Sequence, residues 1–164
     1  FYTSLFFGGI GMIIPLTDLF LGQKGKIISI DLKEEDKNRL IAMGFIPGKE
    51  IELAHISPFG DPLVFKVGDK KIVLRLSEAE NIFVEVEYKI ESLFESDLGK
   101  HQIISVCGGH HFKEEMRNLG IREGKIVTIL GRNGHKTLIE VEGKKYAIGK
   151  GRAQKIFCKK VAQE

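Results

Sequence analysis

A chain of 164 residues, 43% hydrophobic and 29% charged, has the composition of an ordered globular protein, which excludes extensive disorder. Its net charge of +3 is too mild to argue by itself for nucleic acid. Two cysteines, Cys107 and Cys158, make no disulfide framework, so a reduced cytoplasmic protein is expected.

The opening stretch FYTSLFFGGIGMIIPL is uncharged and aromatic-rich. It lacks a basic flank, glycines interrupt it, and Pro15 and Asp18 close it before about 18 apolar residues accumulate, so it reads as neither a signal peptide nor a membrane span. Met12 reads as a natural start, with residues 1–12 an added, unstructured tail. The strand-like run KGKIISI (24–30) follows, rich in β-branched residues. Glu34, Glu35 and Asp36 then open a short helix, where acids favour the positive end of the helix dipole. Leu40 and Met43 share its inner face. Gly44 follows at the position where a left-handed residue ends a helix, and Phe45 at the position that folds back onto the last turn. Pro47-Gly48 turns the chain into the strand KEIELAHI (49–56). PLVFKVGDKKIVLRL (62–76) reads as a hairpin, and a final turn and NIFVEV (81–86) close the unit.

The same order then repeats. Gly44 and Gly48 recur 76 positions later as Gly120 and Gly124, and KIISI recurs as QIISV. Beyond the next strand the offset falls to 74, carrying Ala79 onto Ala153 and Ile82-Phe83 onto Ile156-Phe157, as a shorter hairpin loop would produce. Two units are therefore expected at 13–87 and 88–160, joined by the ordered connector EVEYKIESLFESD (85–97), with a short tail at 161–164. Each unit should be a small, mainly β, SH3-like barrel carrying one short α-helix.

LxxMGFIPGKEIEL and DPLVFKVGDKKIVLRLSEAENIFVEV in the first unit, with RNLGIREGKIVTIL and LIEVEGKKYAIGKGRAQKIFC in the second, resemble the FeoA family of bacterial ferrous-iron transport accessory proteins. That resemblance implies a tandem arrangement of SH3-like domains. It also implies a partner, the cytoplasmic GTPase domain of the FeoB transporter, and a place in the cytoplasm, peripheral to the inner membrane through that transporter, without membrane insertion.

No phosphate-cradling, nucleophile-elbow or zinc-protease motif is present, so an enzyme is not expected. No cofactor is required. The alternative reading is a metal sensor or carrier: Cys107, His110 and His111 in CGGHH combine a thiolate and imidazoles suited to Fe(II) or Zn(II). Against it, adjacent histidines diverge and no fourth ligand is spelled out. Were the first and last strands of the unit neighbours, Cys158 would add a second thiolate. Charge is unevenly placed: residues 13–87 carry −3 and residues 88–164 carry +6. Lys144, Lys145, Lys150, Arg152 and Lys155 crowd the end of the second unit and are candidates for docking an acidic partner. Nucleic acid is disfavoured because few aromatics are interleaved for stacking. Phe59, at a Pro-bounded tip, is a candidate apolar contact, and self-association stays open.

Overall fold

The computed structural model describes residues 2–3 and 10–161, with side chains from residue 11 onward. The chain falls into two compact units that divide between Tyr88 and Lys89.

The first unit runs β1 (Tyr2–Thr3), β2 (Ile10–Pro15), a 3-10 turn (Leu16–Asp18), β3 (Lys24–Ile30), α1 (Glu34–Ala42), β4 (Glu50–Ile56), β5 (Leu63–Val67), β6 (Lys70–Leu74), the one-turn helix α2 (Leu76–Ala79) and β7 (Ile82–Val86). All pairings are antiparallel, in the order β1-β2-β7-β3-β4-β5-β6. Strand residues alternate between core and solvent, as in β5, where Leu63, Phe65 and Val67 point inward and Lys66 outward. Phe45 and Phe65 meet edge to face at 6.5 Å in the centre of the core, a geometry the ring quadrupoles favour.

The second unit runs β8 (Ile90–Ser92), β9 (Gly99–Val106), α3 (His110–Asn118), β10 (Ile126–Asn133), β11 (Lys136–Val141), β12 (Lys144–Gly149), the one-turn helix α4 (Lys150–Ala153) and β13 (Ile156–Lys160), in the order β12-β11-β10-β9-β13-β8. It repeats the first down to its irregularities. A bulge between Leu53 and His55 recurs 76 residues later between Ile129 and Gly131. The slip that sets Ile27 opposite Val84 but Ser29 opposite Phe83 recurs as Ile103 opposite Cys158 and Ser105 opposite Phe157. The two units are thus small SH3-like barrels of one design. The final turn expected before the last strand of each is wound into a helical turn, giving each unit two helices.

The punctuation seen twice in the sequence is a Schellman end. Phe45 N–H donates to Leu40 C=O and Gly44 N–H to Ile41 C=O, at 2.9 and 3.0 Å; Ile121 N–H to Met116 C=O and Gly120 N–H to Arg117 C=O are both 2.9 Å. Gly44 and Gly120 take φ of +107° and +90°, which L side chains avoid. The pair folded together by this motif, Leu40 with Phe45 or Met116 with Ile121, is buried, and each such side chain contributes about 1.5–3 kcal/mol. Gly48 and Gly124 then donate to Ile27 and Ile103 carbonyls at 2.7 and 2.8 Å, seating each turn on the first long strand.

Two expectations are corrected. The stretch taken as an unstructured tail ends in structure: Ile10–Pro15 is a strand, with Met12 opposite Val86 and Ile14 opposite Val84. Residues 1 and 4–9 of that stretch, and 162–164 at the other end, lie outside the described residues. The supposed connector is mostly not one. Glu85 and Val86 finish β7, while Ile90–Ser92 forms the opening strand of the second unit, Glu91 lying opposite Cys158. It stands where Ile10–Pro15 stands in the first unit. Ile90–Ser92 has only three residues, and each of the two strands pairs with a strand at the far end of its unit, β7 or β13, a pairing that no local periodicity announces.

Candidate functional site

The CGGHH loop is built by backbone requirements. Cys107 leaves β9 with its N–H on Lys155 C=O at 2.7 Å and its thiol 3.6 Å from Ser105 Oγ. Gly108 has φ of +145°, and a Cβ there would meet the Phe112 ring at 2.9 Å. Gly109 caps α3 in extended conformation. His110, in the first turn of α3, is 85% exposed, its Nε2 3.7 Å from Glu114 Oε2, and His111 beside it is exposed too. Among the described residues no group of three or more His, Cys, Asp or Glu side chains is arranged to hold a metal ion, so Cys107, His110 and His111 are not drawn together.

Cys158 does not join them. β9 and β13 are neighbours, but Cys158 lies opposite Ile103, four residues from Cys107, or roughly 13 Å along the strand. Both cysteines are free, and Cys158 is buried in the core at the place Val84 holds in the first unit. Burial pushes its thiol pKa up, partly offset by Ser96 Oγ at 3.3 Å, with Glu91 adding to the rise.

The basic cluster divides on inspection. Lys150 Nζ lies 5.2 Å from the Phe94 ring centre and Lys155 Nζ 5.1 Å from that of Phe112, both within cation–π range. Arg152 pairs with Glu115 on α3. Lys144 and Lys145 are exposed on the edge strand β12, with Lys145 opposite Glu140. In the turn before them, the Lys125 ammonium 3.0 Å away hydrogen-bonds the Glu142 carboxylate and holds its pKa below the usual carboxylate range. Much of this charge is therefore engaged within the unit.

Phe59 is the outstanding apolar group: it is 97% exposed, in the loop between β4 and β5. Asp61 of that loop accepts a hydrogen bond from Leu76 N–H at 3.1 Å, tying the loop to the far end of β6. Ile56, Val73 and Leu76 are exposed at the same end. Sequence reading found Phe59, in the apolar loop HISPFGDPL (55–63) that also holds Ile56, and missed Val73 and Leu76. Their signal lies in strand register rather than in any local motif.

Comparison with known proteins gives a consistent family. A model of the FeoA domain matches residues 14–86 and 95–160. Iron(II) transport protein A of Clostridium thermocellum is 36% identical, with a TM-score of 0.54 over 91% of this chain and 89% of that one. The FeoA of Stenotrophomonas maltophilia, solved in complex with zinc, is 29% identical, with a TM-score of 0.39 over 43% of this chain and 88% of that one. A stretch of 71 residues, 43% of this chain, is 30% identical to a Fe(2+) transport protein A/Fe(2+) transporter FeoB fusion protein of Porphyromonas gingivalis, of whose length it spans 8%. The chain belongs to the FeoA domain family, and it carries that domain twice.

Proposed function

We propose that this chain is a non-enzymatic adaptor of ferrous-iron transport. It binds the cytoplasmic GTPase domain of an FeoB-type transporter and modulates uptake by docking through strand edges or hairpin tips, biasing its partner's conformational equilibrium. The observation that carries this reading is the Porphyromonas gingivalis relative, in which an FeoA domain and an FeoB transporter share one chain. Fusion gives two modules a high effective concentration, an arrangement suited to domains that work in contact. An exposed aromatic at a hairpin tip, Phe59, supplies the kind of anchor such contacts use. Fe(II) is in this reading the transporter's cargo.

Titration calorimetry of the whole chain against a transporter's cytoplasmic domain tests the proposal. Saturable binding is expected, and none at about 50 μM protein, roughly −6 kcal/mol, would count decisively against it. Elemental analysis of anaerobically purified protein is expected to find no stoichiometric metal. Stoichiometric iron or zinc, lost in His110→Ala/His111→Ala, would instead make the CGGHH loop a metal site.

A further inference from the structure

The two copies differ most usefully on the outer face of the hairpin β5–β6. There Lys66 and Lys71 lie directly opposite each other, both exposed. Like charges so placed repel. Glu52 lies opposite Lys66 on the other side, yet no ion pair joins either lysine to an acid among the described residues. At the corresponding place in the second unit Glu140 faces Lys145, a pair of opposite charges. The second unit thus carries an acid where the first carries Lys66.

The apolar end of the same hairpin shows the same divergence. Ile56 and Leu76 of the first unit correspond to Arg132 and Lys150 of the second. Arg132 donates from Nη2 to the carbonyls of Leu93 and Ser96, both at 2.7 Å, and Lys150 lies over Phe94. These two side chains close part of this corner in the second unit, where Leu130 and Leu138 nearby stay exposed at 43% and 37%. In the first, Ile56, Phe59, Val73 and Leu76 stay exposed at 43%, 97%, 56% and 38%.

β6 is also the last strand of its sheet among the described residues. Val67 and Lys70 flank a two-residue turn, so they form the hydrogen-bonded closing pair, as do Phe65 with Ile72 and Leu63 with Leu74. The N–H and C=O groups of Lys71 and Val73 therefore point to the open edge. Such an edge is a template for another strand.

We infer that the β5–β6 hairpin of the first unit is the docking strand for an extended acidic segment of the partner. The segment adds alongside β6, sets a carboxylate against Lys66 and Lys71, and places an apolar side chain two residues away against Val73, Leu76 and Phe59. The inference rests on the adaptor reading for the identity of the partner, and on the contrast between copies for the surface.

Lys66→Glu gives the first hairpin the acid–base pair of the second but sets a carboxylate opposite Glu52, where the second unit has Thr128 opposite Glu140, so a circular-dichroism melt that matches the parent's separates loss of binding from unfolding. Binding to the transporter's cytoplasmic domain is expected to weaken at least tenfold in Lys66→Glu and to hold in Glu140→Lys, the reverse change in the second unit. Equal binding by the parent and both variants would overturn the surface and leave the adaptor reading in place. If the parent itself does not bind, the adaptor reading fails and the surface is judged by a synthetic peptide repeating Glu-Thr-Val-Thr. Its titration into isotope-labelled protein should shift the Lys71 and Val73 amides, and do so less in Lys66→Glu. Absence of those shifts would overturn the inference.

Discussion

Single residues in this chain are fixed by backbone geometry and by burial, and the two copies allow each to be tested against its twin. Gly44 and Gly120 do the same work at positive φ, but their surroundings differ. A Cβ on Gly44 would meet nothing within 4 Å, whereas one on Gly120 would lie 3.1 Å from Glu142 Oε2 and 3.2 Å from Val141 Cγ1. Gly44→Ala should cost about 1 kcal/mol from the left-handed conformation alone. Gly120→Ala should cost more, because the Val141 side chain behind it is buried and cannot step aside. Urea denaturation of both variants gives the comparison. Cys158 offers a second test. Its thiol pKa is raised in the folded chain, so folding holds a proton that the unfolded chain releases first, near the ordinary thiol value of 9.0. Its contribution is fully present below that pH and is lost as pH rises above it. Cys158→Val, which installs the Val84 of the first unit, should change stability at pH 7 by less than about 1.5 kcal/mol. Ser96 Oγ keeps its bond to Ser92 C=O at 2.7 Å. The variant should also flatten the alkaline fall in unfolding free energy, which denaturation at pH 7 and pH 10 would show.

At the scale of elements, the hairpins show what a stable edge costs a binding edge. In the first unit Lys66 opposes Lys71, in the second Glu140 opposes Lys145. Lys66→Glu replaces a repelling pair with Lys71 by an attracting one and an attracting pair with Glu52 by a repelling one, each worth about 0.2–1 kcal/mol, so the melting temperature of the first unit should change little while partner binding weakens. A gain in both would show that the lysine pair has no binding role. This pair also marks the boundary of what the sequence makes legible. Helix ends, turns and the hairpins could be read in advance because glycine and proline restrict φ locally, and because inward and outward residues alternate along each strand. The repeat exposed even the shortened loop: Ile56 reaches Leu63 through six residues, and Asn133 reaches Lys136 through two. Ile10–Pro15 and Ile90–Ser92 were not legible, since each is seated in its sheet by pairing with β7 or β13 at the end of its unit. For the same reason the clustered lysines of the second unit looked like a free basic surface, although Lys150 and Lys155 lie over rings and Arg152 on a carboxylate. Charge in a sequence shows how much there is, and only register shows whether it is already spent.

Across the whole molecule, duplication supplies two barrels with separate cores and lets them diverge. Every strand pairing described lies within one unit, and so does the bond that ends the first, from Gln23 Nε2 to Tyr88 C=O at 2.7 Å. Cutting the chain between Tyr88 and Lys89 breaks none of these, so residues 1–88 and 89–164 should each fold and melt cooperatively on their own. They should not be equally stable. The first core holds Phe45 edge to face with Phe65, while the second has Ile121 and Ile139 in their places. The aromatic pair adds about 0.5–1.5 kcal/mol beyond the area it buries, a difference of several degrees in a domain this small. Piece 1–88 should therefore melt higher by circular dichroism, and a second piece melting equal or higher would show that the Phe94 and Phe112 contacts offset the loss. The same two pieces separate function from support. With the open, basic-apolar hairpin on the first and the one that sets Glu140 opposite Lys145 on the second, piece 1–88 should retain the affinity of the intact chain for the transporter domain to within about threefold, while piece 89–164 binds at least tenfold more weakly. If both pieces bind weakly and the intact chain tightly, the affinity comes from two modest contacts on one chain, and duplication serves avidity instead of division of labour.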